Sequence, residues 1–149
     1  MSEMMTARLG LPLLAAGQAQ KEVTHNEALL LIDSLLLPTS ETAPQNAAPV
    51  SPASGQCWLV GAAPTGAWAG QAHTLAGWTA AGWRFVDVPI GGEVIVADDG
   101  QCWRRISKGW QAPATIVPAG AGTVIDSECR SALAALINAL AARGLIKAG

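Results

Sequence analysis

The sequence predicts an α+β fold: an N-terminal helix, a small antiparallel β domain rich in tryptophan, and a C-terminal amphipathic helix. Three observations carry this reading. Apolar residues recur at near-helical spacing before Pro38 and again after Asp126, short alternating runs punctuated by glycine fill the stretch between, and all six tryptophans fall in that stretch. The chain divides accordingly into a helical attachment segment at 1–37, a proline-rich linker at 38–54, the β domain at 55–112, a second linker at 113–125 and an association helix at 126–149.

In the first segment Val23, Leu29, Leu30, Leu35, Leu36 and Leu37 sit among good helix formers, which predicts a helix from about Lys21 to Leu36. Pro38, with no N–H to donate, stops it. Pro38, Pro44, Pro49 and Pro52 among small polar residues then favour extended chain, either a linker or an arm laid on a neighbour.

Alternation in GQCWLVG, WRFVDVP and GGEVIVADDG predicts short strands, and Asp99-Gly100 between apolar runs signals a hairpin turn. The word G-Q-C-W at Gly55–Trp58 recurs at Gly100–Trp103, as a duplicated hairpin or a coincidence. Trp58, Trp83 and Trp103, on alternating strands, are expected in the core. Trp68, Trp78 and Trp110, flanked by glycine and alanine, are expected to be exposed and to contact a glycan or a protein partner.

Asp126-Ser127-Glu128 opens the last helix with acidic residues in its first turn, and Leu133, Leu136, Ile137 and Leu140 form one stripe before Gly144. A lone helix of this length is marginal in water, so the stripe needs a surface. Its own domain or copies of the same helix can supply it.

Composition excludes several functions. Charged residues make up 13% of the chain against about 25% in an average soluble domain, and no Asp, Glu, Lys or Arg occurs between Glu41 and Arg84. Such a surface is expected to be covered by another subunit. The net charge of −2 and pI near 5.6 give no basic footprint for nucleic acid. No run reaches the ~20 apolar residues of a membrane span, and the N-terminus has no signal-peptide pattern. Cys57, Cys102 and Cys129 lack paired short spacing and read as buried free thiols, not as a zinc site or a disulfide framework.

Candidates for catalysis are few. His25 belongs to the polar rim of a helix and His73 lies in the uncharged run without a sequence-adjacent carboxylate. Asp98-Asp99 lacks the regularly spaced oxygen ligands of a calcium loop. Glu22 with Glu27, or Asp87 with Glu93, offers only the pairing that any set of 11 acidic residues provides. No phosphate-cradling glycine loop with its lysine is present. No enzyme, metal or cofactor is expected.

The run AAGQAQKEVTHNEALLLID at 15–33, with TGAWAGQ at Thr65–Gln71 and AGWRF at Ala81–Phe85, resembles a family of uncharacterised proteins encoded in prophages and gene transfer agents of alphaproteobacteria. The ending SALAALINALAARGLI is similar to C-terminal helices of phage fibre-associated proteins. The resemblance implies a virion component of a head spike or tail fibre, made in the bacterial cytoplasm and displayed on the particle surface. The chain is short for a fibre that also carries a receptor-binding tip, so the expected role is an oligomeric base or adaptor. Its partners would be its own copies, as a trimer or pentamer, and other capsid, spike or fibre proteins, with Gln18, Gln20, Lys21, His25 and Asn26 serving attachment and the stripe Leu133, Leu136, Ile137 and Leu140 serving association. The alternative is a carbohydrate-binding module for host surface polysaccharide. Glycan hydrolysis through Asp87, Glu93 and Asp98 is the weakest option.

Overall fold

Helix α1 occupies Lys21–Leu35 in the computed structural model, which describes residues 4–17, 19–116, 118 and 126–148. Gln20, in left-handed backbone, precedes the helix, and the Leu36 N–H closes it on the Ile32 carbonyl at 2.8 Å. Pro38 then prevents continuation, as expected. Ahead of α1 the chain doubles back in a small hairpin. Met5 bridges Pro12, Thr6 N–H donates to the Leu11 carbonyl at 2.9 Å, and Leu13 N–H donates to Met4 at 2.8 Å.

Nine strands and a second helix follow among the described residues, in the order β1 Thr39–Ser40, β2 Cys57–Leu59, β3 Leu75–Thr79, β4 Gly82–Val86, β5 Glu93–Val96, β6 Cys102–Ile106, β7 Gly109–Gln111, β8 Thr115–Ile116, α2 Ser127–Ala141 and β9 Lys147–Ala148. β2, β3 and β4 form an antiparallel meander, and β5, β6 and β7 form another, which β1 extends as a parallel edge strand beside β5. Two helices flanking small, mostly antiparallel sheets with a tryptophan cluster make this the expected α+β fold.

Alternation along β2 sorts its residues between two cores. Cys57 and Leu59 pack with Leu75, Val88, Val94 and Val96 between the two meanders, while Trp58 and Val60 face the other way, with Trp68 and Ala76. The first meander is therefore buried on both faces. Much of the uncharged run from 42 to 83 is accounted for by this, since it supplies the chain's own cores as well as exposed turns.

The segment 38–54, expected as a linker or arm, is instead knitted into the fold. Ile95 N–H donates to the Pro38 carbonyl, Glu41 N–H to Cys57 at 2.8 Å, and Gln45 N–H to Leu59 at 3.1 Å. The buried Ser40 hydroxyl accepts from Leu59 N–H at 3.0 Å and donates to the Thr42 carbonyl at 2.7 Å, joining the two sheets. The four prolines leave this pattern intact because none stands at a residue whose N–H is used.

The two G-Q-C-W words are not equivalent. Each enters a strand from a glycine with positive φ, but Trp58 faces away from the core between the sheets whereas Trp103 packs against it. The first opens its meander and the second is the middle strand of the other, so no duplicated hairpin is present.

At the C-terminal end, the Asp126 carboxylate accepts from Cys129 N–H at 2.8 Å, capping α2 as expected. Gly144, at φ 67°, accepts at its carbonyl from Cys102 N–H at 2.9 Å and lies so near the β5–β6 turn that a Cβ would fall 2.2 Å from the Gly100 carbonyl oxygen. Only glycine fits there. β8, inside the expected second linker, pairs in parallel with β9; most of 117–125 lies outside the described residues. Of the three thiols, Cys57 alone is fully buried, Cys102 is partly covered and Cys129 is exposed on α2, which corrects the expectation of three buried cysteines.

Candidate functional site

The inner face of α1 sets polar residues beside the half-buried Leu29 and Leu30. Asn26 and Asp33, seven residues or about two turns apart, point the same way. The Asn26 amide makes a two-way clamp with the Leu14 backbone at 2.9 and 3.0 Å. The Asp33 carboxylate accepts from the Thr6 hydroxyl at 2.7 Å, Leu9 N–H at 2.7 Å and Arg8 N–H at 3.1 Å, and the Arg8 guanidinium caps the end of the helix through the Asp33, Leu37 and Thr39 oxygens. Glu27 takes a two-point ion pair from Arg84 on β4. The one fully buried residue of α1 is Asp33.

With several polar groups turned inward, part of the apolar set is left outside. Leu31, Ile32, Leu35, Leu36 and Leu37 are between 38% and 76% exposed. On α2, Leu133 and Leu136 are 43% and 56% exposed, Leu140 is half-buried, and only Ile137 is fully covered within the chain. A shallow groove of about 270 Å³ runs between Pro118 and Leu133, Ala134 and Ile137. The stripe read from sequence thus splits between Ile137, packed in its own chain, and leucines facing out.

Of the expected attachment residues, Gln20, Lys21 and His25 are exposed. Asn26 is not available in the same way, because its amide is spent on the Leu14 clamp. Gln18 lies outside the described residues.

The tryptophans gather around Trp83, whose ring meets Trp58, Trp68 and Trp78 edge-on at centroid distances of 5.5, 5.2 and 4.9 Å. Trp78 and Trp83 are direct partners across β3 and β4. Trp68, expected to be exposed, is fully buried: a short 3-10 turn, Gly66–Trp68, led by a glycine at φ 59°, drives it under the sheet. Its glycine and alanine neighbours mark a turn around the ring, not an exposed ring.

Trp78 and Trp110 are half-buried and each lines a separate cavity. Trp78 borders a cleft of about 230 Å³ beneath α1, where Thr6, Arg8, Asp33 and Arg84 bring both charge signs together. Cys57 also lines it, and burial pushes its thiol up from the ordinary value, with the Arg8 charge working against that. Trp110 and Trp103 line the second cavity, of about 210 Å³, together with His73 and Lys108.

The acids considered for hydrolysis, Asp87, Glu93 and Asp98, are all exposed. Asp87 lies 3.9 Å from Arg105, Glu93 stands opposite Arg104, and Asp99 accepts from Gln101 N–H at 3.0 Å as a turn residue. Among the described residues no group of three or more His, Cys, Asp or Glu is placed to hold a metal, and no helix is long and apolar enough to cross a membrane. Sequence reading passed over Asp33 and Lys108. Asp33 had a signal, a single acid inside the apolar run LLLIDSLLL; Lys108 had none.

Compared with known proteins, residues 25–111 match the model of a family described as Protein of unknown function (DUF2793). The match begins inside α1 and ends with β7. No curated protein and no solved structure matches the chain.

Proposed function

The chain belongs to the DUF2793 family of proteins of unknown function, and we propose that it is a structural component of a phage-like particle, an oligomeric base or adaptor for a head spike or tail fibre. The observation that carries the oligomeric part is the inverted α1, with a carboxylate buried and leucine and isoleucine outside. Fully burying one such side chain contributes about 1.5–3 kcal/mol, while association costs about 4–15 kcal/mol in lost freedom. One helix face alone barely offsets that cost, so a ring that uses α1 and α2 on every protomer is favoured. Trimeric and pentameric rings both meet this requirement.

The assignment to a virion rests on the sequence words at 15–33, Thr65–Gln71 and Ala81–Phe85. On this reading the protein is made in the bacterial cytoplasm, sits on the surface of a phage or gene transfer agent particle, binds other capsid, spike or fibre proteins, and catalyses nothing. Native mass measurement of the purified chain tests the assembly. A trimer or larger ring is expected, and a stable monomer at micromolar concentration would overturn it.

A second reading, carbohydrate binding, is favoured by the half-buried Trp110 and Trp78, each at the wall of a cavity. Titration with host surface polysaccharides is expected to shift tryptophan emission, and a flat response across such a panel would remove it.

A further inference from the structure

We infer that the cavity where the two meanders meet, walled by Trp103 and Trp110 and rimmed by Lys108 and His73, binds one carboxylated pyranose, the uronic acid type of unit found in acidic polysaccharides. The inference rests on the carbohydrate-binding reading and adds to it the subsite and the charge of the sugar.

Register places the wall. Arg105 stands opposite Trp110 across β6 and β7, so alternation puts Trp103, Arg105 and Trp110 on one face of that ladder. Both rings pack against the core between the sheets while remaining partly exposed at its end. Indole faces of this kind suit the C–H face of a pyranose, which is apolar while its rim carries hydroxyls. Size limits the ligand further. Sites for drug-sized molecules run to about 300–1,000 Å³, and this cavity is about 210 Å³, so it holds about one sugar ring at a time.

Charge selects the acid. Lys108 is the one formally charged residue lining the cavity, and it has no partner among the described residues; no carboxylate lines it. His73 is brought to the rim by close packing. A Cβ on Gly109 would lie 2.8 Å from both Cε1 and Nδ1 of the imidazole, so the ring is seated on the very turn that presents Lys108.

The test uses the whole chain and two monosaccharides, glucuronate and glucose, at millimolar concentration, with amide and indole NMR shifts as readout. Glucuronate is expected to move the Trp103 and Trp110 indole signals saturably and glucose to move them less. Lys108→Ala should weaken glucuronate about two- to fivefold, the range of an exposed ion pair, and Lys108→Glu should weaken it further, with the fold preserved because the side chain is exposed. Equal responses to both sugars, or a Lys108→Glu variant that binds glucuronate like the parent, overturns this site. Polysaccharide binding that persists while these two signals stay fixed also overturns it and leaves the carbohydrate reading in place. Silence toward every sugar and polysaccharide removes both, and the oligomer mass is untouched by any of these outcomes.

Discussion

Thr6 donates its hydroxyl to the carboxylate of Asp33 across 27 positions of sequence, at 2.7 Å and out of reach of solvent. That bond, with the two backbone N–H groups beside it, ties the N-terminal hairpin to α1. Asp33→Ala leaves three donors facing nothing, and each buried unsatisfied group costs about 1–3 kcal/mol, so a loss of about 3–5 kcal/mol is expected in urea unfolding. Asp33→Asn keeps the shape and one acceptor and should lose less. An alanine variant within about 0.5 kcal/mol of the parent, the size of an ordinary surface change, would show the clamp to be idle.

The outward apolar face of α1 separates association from folding. Ile32→Glu combined with Leu35→Glu alters side chains that are 47% and 38% exposed in the single chain, so its own stability should change by no more than about 1 kcal/mol. Sedimentation velocity should nevertheless report collapse of the oligomer to one chain. Leu133→Lys with Leu136→Lys makes the parallel test on α2. If both pairs retain the parent's mass, association uses another surface.

Local signals in the sequence were legible where one element answers to one rule. Spacing and Pro38 gave α1 its length, Asp126 its role as cap, and alternation the strands β2, β4 and β5. What spacing does not reveal is which way a helix faces when its inner side is polar. An apolar stripe reads as inward by default, and α1 reverses this because Asn26, Glu27 and Asp33 find partners in the hairpin and in β4. Those partners are distant in sequence, as are Ser40 and Leu59, so the proline-rich stretch reads as a linker although its backbone joins two sheets. Within the candidate sites, Trp78 and Trp110 are half-buried and Trp68 is fully buried where exposed rings were expected, because glycine and alanine flank a turn whether it turns a ring outward or inward.

Trp68 provides a check on that distinction. It is fully buried and packs edge-on against Trp83 at 5.2 Å. Trp68→Ala opens a large cavity and should cost about 3–5 kcal/mol. Trp110→Ala, at a half-exposed ring, should cost measurably less. Thermal unfolding of the two variants compares them directly. Should Trp68→Ala leave the midpoint where it is, the ring is a surface feature after all.

Cysteine reactivity reads the same burial chemically and adds a dependence on pH. Burial raises the Cys57 thiol above its ordinary value of 9.0, because a thiolate loses hydration in an apolar wall. Below that ordinary value both folded and unfolded chains carry the neutral thiol, and this contribution to stability is fully present. As pH climbs through the ordinary value toward the raised one, the unfolded chain gains thiolate first, and the contribution is lost. Cys102 is raised by the same cause and, secondarily, by Glu93. Cys129 stands exposed on the first turn of α2. At pH 8 a disulfide reagent should therefore titrate one thiol quickly in the native protein, with the fast phase abolished by Cys129→Ser, and all three in urea. Cys57 should stay protected until the chain unfolds, and unfolding should become easier above pH 9 by an amount that Cys57→Ala reduces. A native Cys57 that reacts as fast as Cys129 would mean that the wall beneath α1 opens freely, and the clamp of Thr6 on Asp33 would then hold nothing shut.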